Sequence, residues 1–205
     1  MPQLSQAKTM GGVGAILMLL GFVPTVGWVL GLAGAVLVLI AIKYISEIVA
    51  DPSIFRDMII AIVLACVGLI VGVAVILAAV FQAIGLGIIT PGIAGFTPPT
   101  GLPTGGLLGL ILSAIVGLAV VWVVLIVSAV FVRRSYGLIS KKLGVHMFGT
   151  AGLLYLLGAA LTIVLVGFIL ILVAEILNIV AFFSIPEQLP QTQQMPPAQP
   201  PSQPM

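Results

Sequence analysis

Long apolar runs separated by short polar segments dominate this chain. Residues 10–42 carry no charged side chain, and residues 147–183 carry one, Glu175. A membrane-spanning helix needs about 20 residues, and one helix covering the first run would be about 50 Å long, too long for a hydrocarbon core near 30 Å. Each run is therefore predicted to form a hairpin of two spans.

The two hairpins are predicted to break at different residues. Pro24 interrupts the first run, because proline removes a backbone donor and clashes with the preceding turn. The second run has no proline, and Gly167 is its predicted bend. The four predicted spans are residues 10–23, 26–42, 148–165 and 167–183. The alternative is that each run forms one long kinked helix.

Two further spans are predicted between the hairpins. Asp51 and Pro52 are typical of a helix start, with aspartate as the N-cap and proline in the first turn. Residues 54–81 follow as the third predicted span, with Arg56 and Asp57 at its entry. Residues 107–131 form another apolar run. Residues 82–106 hold so much glycine and proline that they exclude a continuous helix, and an uncharged loop is predicted there. The chain thus has six predicted spans, or four if both long runs are kinked helices.

Composition gives the fold class. Of the 205 residues, 61% are apolar and 6% are charged, against about 25% charged in a soluble domain. We therefore expect an all-α integral membrane protein, a polytopic bundle of about six transmembrane helices in the lipid bilayer. A short cytoplasmic leader is predicted at residues 1–9, the transmembrane domain at 10–184, and a disordered tail rich in proline and glutamine at 185–205. The net charge of +2 gives no reason to expect a nucleic-acid partner.

Arg133, Arg134, Lys141 and Lys142 predict the orientation. These four of the seven basic residues lie with the only histidine, His146, between the fourth and fifth predicted spans, in what we predict to be a short basic loop. Such loops stay on the cytoplasmic side of a membrane. With six spans, all seven basic residues and both termini are cytoplasmic, whereas four spans leave one lysine outside. The same four side chains are predicted to contact anionic lipid headgroups.

Glu175 is the ionisable residue predicted near the middle of a span, with Asn178 one turn further on. An acid at a helix centre opposes insertion by about 3 kcal/mol, which a dozen apolar residues at about 0.3–0.6 kcal/mol each outweigh. The favoured interpretation is a neutral carboxyl that bonds a neighbouring helix, with Thr162 or Ser128 as its partner. The alternative is an ion pathway, since intramembrane acids often line one. No basic residue is predicted at the same depth.

Glycines four residues apart recur along the predicted spans. Gly27 and Gly31 form one such pair, and Gly68 and Gly72 another. This spacing lets two helices approach closely. We predict that these pairs pack helices within the bundle rather than joining two copies of the chain.

No enzyme chemistry is expected. The sequence offers no nucleophile–base pair, phosphate-binding loop or metal-ligand spacing, and His146 has no further ligand type beside it. No cofactor is predicted. Two functions remain: a membrane structural or interaction protein, which is favoured, and a small ion- or proton-coupled transporter or channel that uses the intramembrane carboxylate. The sequence predicts neither a substrate nor an oligomeric state.

Several short motifs resemble those of a known family. They are Gly-Gly-Val-Gly-Ala-Ile-Leu from Gly11, Ile-Lys-Tyr-Ile-Ser-Glu from Ile42, and Asp-Pro-Ser-Ile-Phe-Arg-Asp from Asp51. Gly-Ala-Ala-Leu-Thr-Ile from Gly158 and Ala-Phe-Phe-Ser-Ile-Pro from Ala181 are similar too. Together they resemble an archaeal membrane-protein family called domain of unknown function 996. The resemblance implies an archaeal integral membrane protein, and it brings no assigned activity and no catalytic residues.

Overall fold

The architecture is an all-α bundle, seen in a computed structural model that describes residues 4–23, 26–83 and 106–187. Within these residues the chain forms six α-helices and no strand. The helices are α1 Leu4–Leu20, α2 Gly27–Ile48, α3 Pro52–Ala83, α4 Gly106–Leu143, α5 His146–Leu161 and α6 Val166–Phe183. Five of them are long and apolar enough to cross a membrane, and α1 is apolar but shorter, with 17 residues. The predicted polytopic membrane bundle is confirmed.

Both double-length runs fold back on themselves. Gly14 of α1 lies against the Gly34 carbonyl of α2, while Gly21 lies against Gly31 near the turn, so the two helices are antiparallel. In the second hairpin, the Phe148 and Phe182 rings meet near its open end, with centroids 5.0 Å apart. The alternative of four long kinked helices is therefore wrong, because each run reverses direction.

The six helices form a closed circuit. Each helix packs against the next one along the chain, and α6 packs against α1. The last contact places Gly11 against the Phe182 ring and Gly12 against the Phe183 ring, where any larger side chain would collide. The start of α1 and the end of α6 therefore lie at the same end of the bundle. The starts of α3 and α5 and the ends of α2 and α4 also lie there.

The packed core lies at this same end. Its largest fully buried apolar side chains come from five helices and from the segment after α6: Ile42, Ile45, Ile54, Ile139, Phe148, Phe182 and Ile185. Towards the other end, apolar side chains point outwards, with Trp28 and Leu69 69% exposed and Leu165 72% exposed. Lipid tails are the natural cover for such a surface.

The predicted basic loop is wrong, because α4 continues through the basic residues as far as Leu143. Arginine, lysine and leucine are good helix formers, so charge alone does not end a helix. The helix ends at Gly144, which has a left-handed φ of 70°. Only Gly144 and Val145 connect α4 to α5.

The bend predicted at Gly167 occurs earlier in the chain, between Thr162 and Leu165. The chain turns through a 3₁₀ turn at Thr162–Val164 and then through Leu165, which has a left-handed φ of 62°. Gly167 lies in the first turn of α6, against the Gly158 carbonyl of α5. Its missing side chain lets the two helices meet just below the turn.

The α2–α3 connection confirms the predicted helix start. Asp51 Oδ1 accepts hydrogen bonds from the Ser53 backbone N–H, at 3.2 Å, and from the Ser53 hydroxyl. Before it, α2 ends in a Schellman motif: Ala50 has a φ of 54°, and the Asp51 N–H donates to the Ser46 carbonyl at 3.0 Å. Helix α3 then begins at Pro52, as expected of a proline in the first turn.

The ends of the predicted segments differ in smaller ways. Helix α1 begins at Leu4, inside the predicted leader. Pro24, residues 84–105 of the predicted loop and residues 188–205 of the predicted tail lie outside the described residues.

Candidate functional site

A cluster of polar side chains lies between α4, α5 and α6. Glu175 and Asn178 of α6 are 4% and 0% exposed, and Tyr136 of α4 is 3% exposed. Tyr155 of α5 is half-buried. The Tyr155 phenol lies close to both Glu175 and Asn178. The Tyr136 phenol lies close to Asn178 and interacts electrostatically with the Glu175 carboxyl. We call these four residues the Glu175 cluster.

Helix periodicity explains why α6 presents both polar residues to the interior. Its buried positions repeat every three or four residues and form one stripe, which comprises Gly167, Ala174, Glu175, Asn178, Ala181 and Phe182. Small residues in the stripe let the neighbouring helices come close. The two polar side chains thus share the face that carries the packing residues.

Aromatic contacts position the two phenols. The Tyr136 ring meets the Phe148 ring edge to face, with centroids 5.6 Å apart, and meets the Tyr155 ring at 6.2 Å. Close packing at Gly152 supports this arrangement, because a Cβ there would lie 3.2 Å from the Tyr136 Cβ and 3.1 Å from the Arg133 Cα. The aromatic rings therefore fix the phenols within reach of Glu175 and Asn178.

Three polar atoms of the Glu175 cluster are buried without a hydrogen-bond partner among the described residues. They are Glu175 Oε2 and both Asn178 side-chain atoms, Nδ2 and Oδ1. The phenols lie near these atoms without meeting the geometry of a hydrogen bond to them. The four side chains therefore meet in the interior and leave these three atoms unpaired among the described residues.

The partners predicted for Glu175 are wrong. The Thr162 hydroxyl donates to the Gly158 carbonyl of its own helix at 2.8 Å, and the Ser128 hydroxyl donates to the Ala61 carbonyl of α3 at 2.8 Å. Helical carbonyls compete for such hydroxyls. The neighbours that sequence reasoning missed are Tyr136 and Tyr155, and the available signal was a tyrosine inside an apolar run, since a buried phenol usually has a polar partner.

The predicted separation in depth between Glu175 and the basic residues is also wrong. The Arg133 backbone lies beside Gly152, one helical turn from Tyr155. The Arg133 and Arg134 side chains are exposed on the outside of the bundle, and neither forms an ion pair with Glu175. The carboxyl therefore lies close to the basic end without a cation beside it.

The basic residues themselves have different surroundings. Lys141 is exposed like both arginines, whereas Lys142 Nζ lies 4.0 Å from Asp51 Oδ2 and so ties the end of α4 to the α2–α3 connection. His146 is exposed at the start of α5, and the described residues hold no group of three His, Cys, Asp or Glu that would bind a metal. The lipid-headgroup role of the basic side chains stays a prediction.

Comparison with known proteins gives the family. A family model described as protein of unknown function (DUF996) matches residues 30–176, a range that includes Tyr136, Tyr155 and Glu175. The chain belongs to this family. The uncharacterized protein MJ1644 of Methanocaldococcus jannaschii is 34% identical over 187 residues, which cover 91% of this chain and 96% of that protein. No solved structure matches the chain. The resemblance to the DUF996 family seen in the sequence is confirmed.

The glycine pairs also have an observed role. A Cβ on Gly68 would lie 3.0 Å from Val124 Cγ1, and one on Gly72 would lie 3.1 Å from Val121 Cγ2, so this pair packs α3 against α4. The Gly27 and Gly31 pair lies beside Gly21 at the α1–α2 turn. Close helix approach within the bundle is therefore confirmed for both pairs.

Proposed function

We propose that this chain is a non-enzymatic membrane protein that passes protons or a small monovalent cation through the Glu175 cluster, as a transporter or channel. The observation that carries the proposal is the set of three buried polar atoms on Glu175 and Asn178 that lack a partner among the described residues. Each such group destabilises a fold by about 1–3 kcal/mol. Three of them are a large fraction of a typical stability of about 5–15 kcal/mol.

This cost favours a role beyond helix packing. Packing alone would favour apolar side chains of similar volume at Glu175 and Asn178. A cation that binds and leaves instead needs free oxygen atoms to meet it, and two of the three unpaired atoms, Glu175 Oε2 and Asn178 Oδ1, are such oxygens. A lone acid without other polar groups would make a poor pathway, and the two phenols add such groups beside Glu175.

A membrane structural or interaction protein is the second candidate. The edge-to-face contacts of Tyr136 with Phe148, and of Phe148 with Phe182, join α4, α5 and α6. In this case the Glu175 cluster fastens three helices together and has no ligand. The exposed Arg133, Arg134 and Lys141 would then meet a partner or anionic lipid headgroups at the basic end.

In the proposed orientation, the chain spans the cell membrane and both of its termini lie in the cytoplasm. Lys8 lies near the start of α1, Lys43 near the end of α2 and Arg56 near the start of α3, so they share one end of the bundle with the basic end of α4. An excess of lysine and arginine marks the cytoplasmic side. The Glu175 cluster would then lie nearer the cytoplasm than the outer surface, because the Arg133 backbone lies beside Gly152, one helical turn from Tyr155.

Ion flux into liposomes tests the proposed function. The purified full chain is reconstituted in liposomes that hold a dye sensitive to H⁺, Na⁺ or K⁺, and a gradient of the matching ion is applied to each preparation. We expect flux above that of empty liposomes and at least about a tenfold loss in Glu175→Gln, since the loss of a charge that an ion meets directly is worth more than 1.4 kcal/mol. Glu47→Gln is the matched control, because Glu47 is half-exposed on α2 and its ion-pair partner among the described residues is Lys43.

Two outcomes contradict the ion-coupled function. One is that the wild-type chain moves none of the three ions faster than empty liposomes. The other is that Glu175→Gln and Glu47→Gln have equal flux. Either result leaves the structural or interaction role, and thermal unfolding of Glu175→Leu would then measure how much the carboxyl contributes to helix packing.

A further inference from the structure

We infer that the Glu175 cluster binds one dehydrated Na⁺ ion, an inference that rests on the ion-coupled function proposed above. Its ligands would be the Glu175 carboxylate, the Asn178 Oδ1 atom and the hydroxyls of Tyr136 and Tyr155. Two of these ligand groups, on Glu175 and Asn178, include buried atoms without a partner among the described residues. The site therefore has free ligand atoms before any side chain moves.

The ligand set selects a hard cation. All four groups offer oxygen, and neither a thiolate nor an imidazole lies in the Glu175 cluster. Carboxylate, amide carbonyl and hydroxyl oxygens suit alkali and alkaline-earth ions, whereas softer transition metals prefer nitrogen and sulfur.

Charge then selects a monovalent ion. The Glu175 carboxylate is the one acid of the cluster, and the ion pairs of the described chain, Lys43 with Glu47 and Lys142 with Asp51, do not involve it. A single positive charge makes the occupied site neutral. A divalent ion would leave a net charge in a medium of low dielectric constant, which is strongly unfavourable.

The number of converging groups distinguishes a metal ion from a proton. A protonated carboxyl needs one acceptor, and any single hydroxyl or amide beside Glu175 would supply it. Here oxygen-bearing side chains from α4, α5 and α6 meet at the same place. Such convergence of ligands from several helices is what an ion without its water shell requires.

The walls of the site favour an ion that has lost its water. Phe182 lies one turn beyond Asn178 on α6, and its ring meets the Phe148 ring; both rings are 0% exposed. Gly11 of α1 lies directly against the Phe182 ring and so closes that side. Apolar rings offer nothing to a hydration shell, so the protein oxygens must replace it.

Thermal unfolding of the purified full chain in detergent tests this inference. The melting temperature Tm is measured in NaCl, KCl and choline chloride at equal ionic strength and pH, and then with added Ca²⁺. We expect a saturable rise with Na⁺ that reaches about 5–10 °C at a hundredfold excess over its Kd, and a smaller rise or none with the other salts. This comparison uses the wild-type chain alone, so it does not depend on a variant that folds.

Two substitutions localise the effect. Glu175→Gln is expected to abolish the Na⁺-dependent rise, and Tyr155→Phe, which removes one ligand oxygen and keeps the ring, is expected to raise the Na⁺ concentration at half-saturation about tenfold or more. Glu47→Gln should keep the wild-type response. Equal shifts with Na⁺ and choline, a larger shift with Ca²⁺, or an unchanged Na⁺ response in Glu175→Gln would each overturn the Na⁺ site.

The two proposals fail separately. Proton flux that depends on Glu175, together with a Tm that does not change with Na⁺, would support the ion-coupled function and contradict the sodium site. The absence of both ion flux and a cation-dependent Tm would contradict both proposals.

Discussion

Two exposed residues with left-handed backbone show how local conformation acts at the residue scale. Ala50, with a φ of 54°, ends α2, and Gly144, with a φ of 70°, ends α4. The left-handed conformation destabilises an L-residue by about 1–2 kcal/mol, and glycine is free of that effect. No atom of the described residues lies within 4 Å of a Cβ built on Gly144, so a substitution there changes the backbone preference and little else.

Exchanging alanine and glycine at these two positions should change the stability of the fold in opposite directions. We expect Ala50→Gly to raise the free energy of unfolding by about 1 kcal/mol and Gly144→Ala to lower it by a similar amount. Equilibrium unfolding of the purified chain in mixed detergent micelles measures both. Shifts of the same sign in the two variants would mean that the caps are not controlled by backbone conformation.

Asp51 should give the stability a dependence on pH. The hydrogen bond from the Ser53 hydroxyl is the main cause that holds the pKa of Asp51 below its ordinary value of 3.8, with the Ser53 N–H and the charge of Lys142 adding to it and burial opposing it. Because the folded pKa is lowered, the charged cap stabilises the fold above about pH 4 and loses this effect as the pH falls through the folded pKa.

Two substitutions separate the charge of Asp51 from its capping geometry. Asp51→Ala is expected to destabilise the fold by about 1 kcal/mol at pH 7, whereas Asp51→Asn keeps an oxygen for the Ser53 N–H and should lose less. The difference between wild type and Asp51→Asn should shrink from pH 7 to pH 3. Unfolding curves at both pH values check this, and a difference independent of pH would exclude the charge as its source.

At the scale of elements, glycine contacts decide how the first hairpin closes. A Cβ on Gly34 would lie 2.6 Å from the Met18 nitrogen and 2.9 Å from its Cγ, so Gly34→Ala must push α1 and α2 apart. We expect a loss of about 1–3 kcal/mol. Gly137→Ala is the matched control on α4, because no atom in the described part of the chain lies within 4 Å of the added Cβ and alanine favours a helix by about 1 kcal/mol over glycine. Unfolding measurements should therefore give opposite signs.

The elements also show which physical signals the sequence carries. Runs without charge predict six spans with four long kinked helices as the alternative, and Pro24 predicts a first break in the segment between the end of α1 and the start of α2. The extension of α4 through Arg133 to Leu143 differs from the predicted basic loop because charge does not end a helix: arginine and lysine have high helix propensity, and Gly144 is the residue at which α4 ends. Leu165 gave no signal at all, since a leucine rarely adopts the left-handed conformation without tertiary contacts that impose it.

The candidate site was only half predictable for a related reason. Glu175 and Asn178 are visible in the sequence because polar residues are rare in an apolar run. Tyr136 and Tyr155 join them through the packing of α4 and α5 on α6, where Gly152 allows the close approach. That approach depends on contacts between residues far apart in the chain, which periodicity along one helix does not contain.

At the scale of the whole molecule, one end is packed and basic, and the other presents apolar side chains outwards, so the orientation can be tested directly. In a chain with Cys66→Ser, single cysteines replace Ser5 and His146 at the basic end, and Val26 and Leu165, which are 58% and 72% exposed, at the other end. Membrane-impermeant labelling of intact and opened cells measures their sides.

Positive charge at the packed end predicts the pattern of labelling. The cysteines at Ser5 and His146 should react only from the cytoplasm, and those at Val26 and Leu165 only from outside, because moving a cluster of lysines and arginines across the bilayer is far less favourable than retaining it. The reverse pattern would keep six spans but place the Glu175 cluster nearer the outer surface. Labelling of all four from one side would contradict the spans themselves, and with them the membrane environment on which the Glu175 cluster depends.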